Sequence, residues 1–529
     1  MMKRAGFVCF LTVVALVGAM LRVFWLSAGD NASAAQTAVS KRCKAISLYN
    51  SKGIIYDRNL DPIAGKQPCI YLLVNPRNFD RESMDEFANV TGVDLDYLQN
   101  NLKRESPFVL ETVDYEASFE GVTAIDGYGR YSGISSHLLG YLDSDGIIGL
   151  SGIEKEFDAF LSLFSSEKTI VYTADAIQGA VEGLGYRVDG SETSDNGIIL
   201  SLDRGLSECL KKSMISNMKV GSGIVMDCVT GEILAMESLP NYSEKNIIDY
   251  IESDRGELIN RGLYPQTVGS VFKIIIAAAA LEAGLEHYRY ECNGGIFVGD
   301  RFFSCHDKNG HGNIGIKEGF ALSCNSYFIA LGQLIGYDRI FEIARRFGFG
   351  ESVQITESIH SLKGNVPMER NTVALANLCI GQGELTASPI HIARMTAVIS
   401  NGGIMPEVQL LKGLYLNNDT KEISNQPEEK RILSEDHANA IKEYCEYSVT
   451  AGTGKNAKPE HGTAGGKTSS AQTGIYQNGK EQLNVYFTGF YPADSPRYVV
   501  TVFAEDGVSG GTTCGPVFRD VCNYLYLSN

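Results

Sequence analysis

The sequence predicts an α+β protein, an antiparallel sheet flanked by helices, set behind an apolar N-terminal helix and a mixed, β-rich leading segment. Three observations carry this. The stretch "GSGIVMDCVTGEILAM" from Gly221 places two β-rich runs around Thr230-Gly231, a hairpin signal. Near the C-terminus, "NVYFTGFYPADSPRYVVTVFAED" repeats the pattern, with turn residues Pro492 to Pro496 between two strands. Helical runs lie between these strand pairs at Phe272–Leu285, Ser326–Leu334 and Pro389–Ser400.

The N-terminus comes first. Lys3 and Arg4 precede a 17-residue apolar stretch from Ala5 to Leu21, which continues past Arg22 to Leu26. That length meets the lower limit of about 17–25 residues for a membrane span, and the basic start should stay in the cytoplasm. The only tryptophan, Trp25, sits where an interfacial anchor would lie. A cleaved signal peptide cut at Ala32-Ser33-Ala34 is the rival, but the length of the run favours an uncleaved anchor. Either way the rest of the chain is exported.

The 529 residues exceed one hydrophobic core. The expected division is a cytoplasmic tail at 1–4, a transmembrane signal anchor at 5–26, a small-residue polar linker at 27–40, a spacer or docking domain at 41–196, and a larger domain at 197–529. The polar patch "DGSETSDNG" at Asp189 to Gly197 marks the last boundary. A net charge of −17, without clustered Lys and Arg, disfavours nucleic acid as a partner.

Chemistry concentrates in the larger domain. Ser270 and Lys273 lie three apart, so at a helix start they share one face. Burial drives a lysine toward the neutral amine, and a neutral amine beside a serine can take its proton. The result is a nucleophile that needs no histidine. In "ALSCNSYF", Ser323 and Asn325 alternate, so both can enter one cleft from a turn between helices. In "AGGKTSSAQTG", Lys467, Thr468, Ser469 and Ser470 follow Gly465-Gly466 into a strand, where glycines would let an acyl group approach the backbone. Each has a plainer reading: a snorkelling lysine, helix caps, an exposed strand charge. Their order argues otherwise.

S-x-x-K, S-x-N and K-T-x in this order resemble the signature of penicillin-binding proteins and serine β-lactamases. "SKGIIYDRNLDPIAG" at Ser51, "HLLGY" at His137 and "GLSGIEKEFD" at Gly149 resemble the non-catalytic pedestal of class B penicillin-binding proteins. "TGEILAMESLPNY", "NRGLYPQTVGSVFK", "IGQGELTASPIHIARMTAVISNGG" and "FTGFYPADSPRYVV" resemble their transpeptidase domain. The departures are Val268 where the family has proline, and Ser469 where its K-T-G motif has glycine. Lys52 and Leu60 also replace the arginine and glycine of the pedestal start.

The resemblance implies a membrane-bound peptidoglycan D,D-transpeptidase with an extracellular catalytic part, inhibited by β-lactams. Ser270 would attack a D-Ala-D-Ala stem peptide, with Lys273 as base. Ser323 and Lys467 would relay the proton, and Asn325 would hold substrate and Lys273. Thr468, Ser469 and Ser470 would bind substrate, with Ser270 and Ser470 N–H groups as the oxyanion hole. Peptidoglycan stem peptides and a polytopic membrane glycosyltransferase are the implied partners. A β-lactamase or D,D-carboxypeptidase, or a non-catalytic β-lactam sensor or scaffold, are the alternatives.

No cofactor and no metal are expected. Cys292, Cys305, His306 and His311 lack a tight C-x-x-C pair, and "GHG" at Gly310 resembles a loop of the family. Of the 12 cysteines, Cys292 and Cys305 are near enough in sequence to pair, with thiol and disulfide equally open. "AGTGK" at Ala451 fails as a phosphate loop because Asn456 follows Lys455. Glu384 reads as a surface or structural glutamate.

Overall fold

A computed structural model of the chain describes residues 2–28, 41–113, 115–130, 133–143, 145–181, 183–244, 247–423 and 429–528. The expected linker at 27–40 lies outside the described residues from 29 onward. Helix α1 (Met2–Ala28) contains the apolar stretch Gly6–Trp25, 20 residues with a mean hydropathy of 2.4, all of them exposed. At 1.5 Å per residue that stretch is about 30 Å long, the thickness of a bilayer's hydrocarbon core. It is long and apolar enough to cross a membrane.

The chain forms two compact units whose division departs from the linear boundary at 196. The first comprises Met1–Asn50, Pro68–Gly129 and Ser166–Glu192; the second takes Ser51–Gln67, Arg130–Ser165 and Thr193–Asn529. Strand Ile54–Tyr56 explains the difference, since it pairs in parallel with strand Gly197–Leu200 of the second unit. Arg130 then clamps Glu154 through two hydrogen bonds of 2.8 and 3.0 Å and reaches the Gly53 carbonyl at 2.8 Å. Non-local pairing of this kind leaves no mark in local composition.

The first unit is mixed and β-rich, as the sequence predicts. Its two three-stranded sheets are built from Cys43–Ser51, Ser166–Thr173 and Tyr186–Gly190, and from Phe108–Thr112, Gln67–Val74 and Val122–Gly129. Leu72, Val74, Phe79, Phe87, Leu98 and Leu110 form a small core under two short helices.

In the second unit, helix α2 (Arg204–Asn217) precedes strands β1 (Gly221–Asp227) and β2 (Ile233–Leu239), the first predicted hairpin. Next come helices α3 (Lys273–Glu282), α4 (Ile316–Ala321), α5 (Asn325–Ile335), α6 (Pro389–Ser400) and α7 (Glu435–Thr450). Strands β3 (Gly465–Gln477), β4 (Lys480–Tyr491) and β5 (Tyr498–Ala504) and helix α8 (Gly515–Ser528) complete the unit. The sheet order is β2-β1-β5-β4-β3, antiparallel throughout.

Strand periodicity sorts the side chains between two cores. Val225, Val500 and Val502 face α2 and α8, where Leu210, Met214, Phe518 and Val521 meet them. Ile224, Met226, Val499 and Phe503 face the opposite layer, which holds α3 and α6. Because both faces are covered, β1 and β5 are buried along their whole length. The buried hydroxyls of Thr396 on α6, Thr488 on β4 and Thr501 on β5 form a chain with 2.7 Å links, satisfying polar groups between helix and sheet. Helix α3 is apolar on every side between Lys273 at its start and Glu282 at its end, which suits a helix enclosed by others.

Candidate active site

The nucleophile sits on a constrained turn. Gly269 has φ +62°, and a Cβ there would lie 2.3 Å from Ser469 Oγ. Its N–H donates to the Gly381 carbonyl at 2.8 Å, which anchors the turn to the "IGQGEL" loop. A single 3₁₀ turn, Gly269–Phe272, then leads into α3. This places Ser270 and Lys273 on one face, as their spacing predicts.

Three separate elements converge on Lys273. The amine is fully buried and donates to Ser270 Oγ at 3.1 Å and to Asn325 Oδ1 at 2.8 Å. It also reaches the Ser323 carbonyl at 2.8 Å and Ser323 Oγ at 3.2 Å. Ser323 ends the turn between α4 and α5 in the left-handed region, φ +54°, a conformation a serine holds only where its surroundings impose it. From β3, the fully buried Lys467 amine donates to Ser323 Oγ at 3.0 Å and to the Thr468 carbonyl at 3.0 Å. One hydroxyl therefore bridges two amines.

Electrostatics follow from that enclosure. Burial pushes the Lys273 ammonium down to about 8, because few water molecules remain to solvate its charge. Lys467 is held well below the normal lysine range by burial first and by Lys273 second. Two ammonium groups on one hydroxyl would repel, so the pair favours a state with a proton on only one of them.

The substrate-side strand is arranged differently from the expectation for its glycines. The Cβ positions of Gly465 and Gly466 point at the rings of Phe490 and Phe487, at 2.3 and 2.6 Å, so packing of β4 against β3 requires these glycines. Thr468 Oγ1 meets Thr453 Oγ1 at 2.6 Å, which brings "AGTGK" to the site as a structural loop. Sequence reasoning missed Thr453, and no local signal marks it. Ser469 is buried, and its hydroxyl donates to the Val268 carbonyl at 2.9 Å. Ser470 is exposed and accepts from the Gly510 N–H at 3.4 Å. Glu384 is exposed.

Residues 221–523, more than half of the chain, match the penicillin-binding protein transpeptidase domain. The chain belongs to the class B penicillin-binding proteins. This penicillin-binding protein is 28% identical over 445 residues to stage V sporulation protein D of Bacillus subtilis, covering 79% of this chain and 66% of that one. It is 25% identical over 557 residues to the peptidoglycan D,D-transpeptidase MrdA of Acinetobacter baumannii, covering 91% of this chain and 81% of that one. Among solved structures, penicillin-binding protein 2 of Helicobacter pylori in complex with MreC shares its fold, with a TM-score of 0.64 at 22% identity over 92% of this chain and 99% of that one.

On the far side of the Ser323–Asn325 turn, this penicillin-binding protein gathers a second group of side chains. The ligand atoms of Cys292, Cys305, His311 and Cys324 all lie within 4.8 Å of one another. The sequence picks out the first three but includes His306 in place of Cys324. In the sequence Cys324 reads, like Cys228 and Cys379, as a small core residue inside an apolar segment, and it is indeed buried.

Proposed function

We propose that the protein is a membrane-anchored peptidoglycan D,D-transpeptidase acting through a Ser270 acyl-enzyme. The observation that carries this reading is the buried Lys273 amine, in hydrogen-bond reach of Ser270, Ser323 and Asn325 at once. In its neutral form the amine takes the Ser270 proton as Oγ attacks the carbonyl of the penultimate D-Ala. The terminal D-Ala amine leaves with a proton relayed through Ser323. A second stem peptide's amine then displaces Ser270 and forms the cross-link.

The shared hydroxyl suggests how the base is primed. A substrate carboxylate arriving at Thr468 and Ser470 favours a positive charge on Lys467. A proton passing from Lys273 through Ser323 Oγ to Lys467 supplies that charge and frees Lys273 as base. Each link is 3.2 Å or less. The backbone N–H groups of Ser270 and Ser470 serve as the oxyanion hole.

Lys3 and Arg4 before the apolar helix support a cytoplasmic N-terminus and an outward catalytic unit. The glycan carrying the stem peptides must be polymerised first, so a polytopic membrane glycosyltransferase is the fitting partner.

The test uses the full chain in detergent with a fluorescent penicillin and with donor and acceptor stem peptides. Wild type should label stably and yield cross-linked dimer, and Ser270→Ala should do neither. Stable labelling without cross-linking would indicate a sensor. Rapid loss of label would indicate hydrolysis. Either result overturns the proposal.

A further inference from the structure

A buried ammonium needs a source of negative potential, and Lys467 lacks the usual one. Among the described residues no carboxylate acts on its amine; burial, Lys273 on α3 and the Cys445 thiol on α7 set its proton affinity. Burial pushes that thiol up to about 12, so Cys445 is neutral at physiological pH and supplies no charge. The two lysines also differ in polar company. Lys273 reaches four oxygens: Ser270 Oγ, the Ser323 carbonyl, Ser323 Oγ and Asn325 Oδ1. Lys467 reaches two, Ser323 Oγ and the Thr468 carbonyl. An ammonium carries three N–H donors, so a charged Lys467 has one donor more than it has acceptors.

An aromatic face fills that gap. The Lys467 amine stands over the Phe320 ring, 5.5 Å from its centroid, inside the roughly 6 Å over which a ring face attracts a cation. The attraction is strongest away from water, and both side chains are fully buried. Local structure explains why the ring sits there. Phe320 lies on α4 one turn after Ile316, and Gly319 beside it lets α4 lie close to α5, since a Cβ there would meet the Tyr327 ring at 2.9 Å. As the chain turns, the Ser323 N–H donates to the Phe320 carbonyl at 3.1 Å. One short segment therefore delivers both the hydroxyl and the ring to Lys467.

We propose that Phe320 is a positioning residue for the acyl donor: its ring face stabilises the charged form of Lys467, and through Lys467 it selects donors that carry a carboxylate. This rests on the transpeptidase reading, in which the donor carboxylate arrives at Thr468 and Ser470. The ring does not touch the donor. It makes no bond and moves no proton; it favours a proton on Lys467 when Lys273 gives one up. Lys273 also stands 5.5 Å from a ring, that of Phe328, but four oxygens already surround its amine, so the ring there has less to supply.

The test replaces Phe320 in the full chain, in detergent, with mono-, di- and trifluorophenylalanine, which drain electron density from the ring face while nearly keeping its shape. Acylation rates are measured with a penicillin and with its methyl ester, which lacks the carboxylate. The ratio of the penicillin rate to the ester rate should fall stepwise with each fluorine, by about tenfold at three. A ratio unchanged across the series would overturn the proposal, whether both rates hold or both fall together, because lost packing slows the two donors alike. Phe320→Leu removes the ring outright and should lower the ratio at least as far as the trifluoro ring; a Leu variant with the wild-type ratio would overturn the proposal as well. Absence of Ser270-dependent acylation in wild type would instead defeat the acyl-enzyme reading, and this inference with it.

Discussion

The Ser323-Cys324-Asn325 turn separates two clusters that face the same physical problem and meet it in opposite ways. On one side, Lys273 and Lys467 are fully buried, and burial drives their protons off. On the other, Cys292, Cys305 and Cys324 are buried thiols gathered around His311. Isolated charge is costly away from water, so each cluster limits its net charge. The lysines do so by losing protons, which creates a base. The sulfurs instead meet one another and His311 at 3.6 to 3.8 Å as part of the packed wall behind the turn. Neighbouring residues thus divide between chemistry on one face of the turn and packing on the other.

The largest effect should come from breaking the lysine side. Lys273→Met keeps the length and apolar packing but removes the base, and acylation by fluorescent penicillin should fall about 10⁴-fold. Folding, followed by circular dichroism, should be intact. Breaking the other side should cost less. Cys324→Ala removes the sulfur that caps α5 between Ser323 and Asn325; a lost cap costs about 1–2 kcal/mol, so acylation should fall about tenfold.

The pH profile sharpens the comparison. Lys273 must be neutral to act, and burial places its proton loss at about 8. The acylation rate should therefore rise about tenfold per pH unit below that value and level off above it. A flat profile between pH 6 and 9 would exclude Lys273 as the base. The smallest effect belongs to Ser469, where the family motif has glycine. Its hydroxyl braces the Val268 carbonyl beside the nucleophile turn. Ser469→Gly removes one buried neutral hydrogen bond worth about 1 kcal/mol, so acylation should slow by about fivefold. An unchanged rate together with a lower Tm would assign Ser469 to stability alone.

Local pattern announced much of the architecture. Helix Pro389–Ser400 appears with the bounds its sequence suggests, and both hairpins form about Thr230-Gly231 and Pro492 to Pro496. Ser270 and Lys273 were legible because three residues make nearly one helical turn. The exchange of Ser51–Gln67 and Arg130–Ser165 into the larger unit was not legible, because parallel pairing across some 140 positions leaves no local periodicity.

The sequence by itself determined which groups carry chemistry: an apolar N-terminal span, a serine one turn from a lysine, and S-x-N and K-T-x stretches in fixed order. Tertiary structure alone decided how they are joined. It set one Ser323 hydroxyl between two amines, turned Ser469 toward Val268, and brought Cys324 to cysteines 19 and 32 positions away. The reason is physical. Periodicity constrains neighbours along one element, whereas proton sharing depends on distances between elements, which only packing fixes.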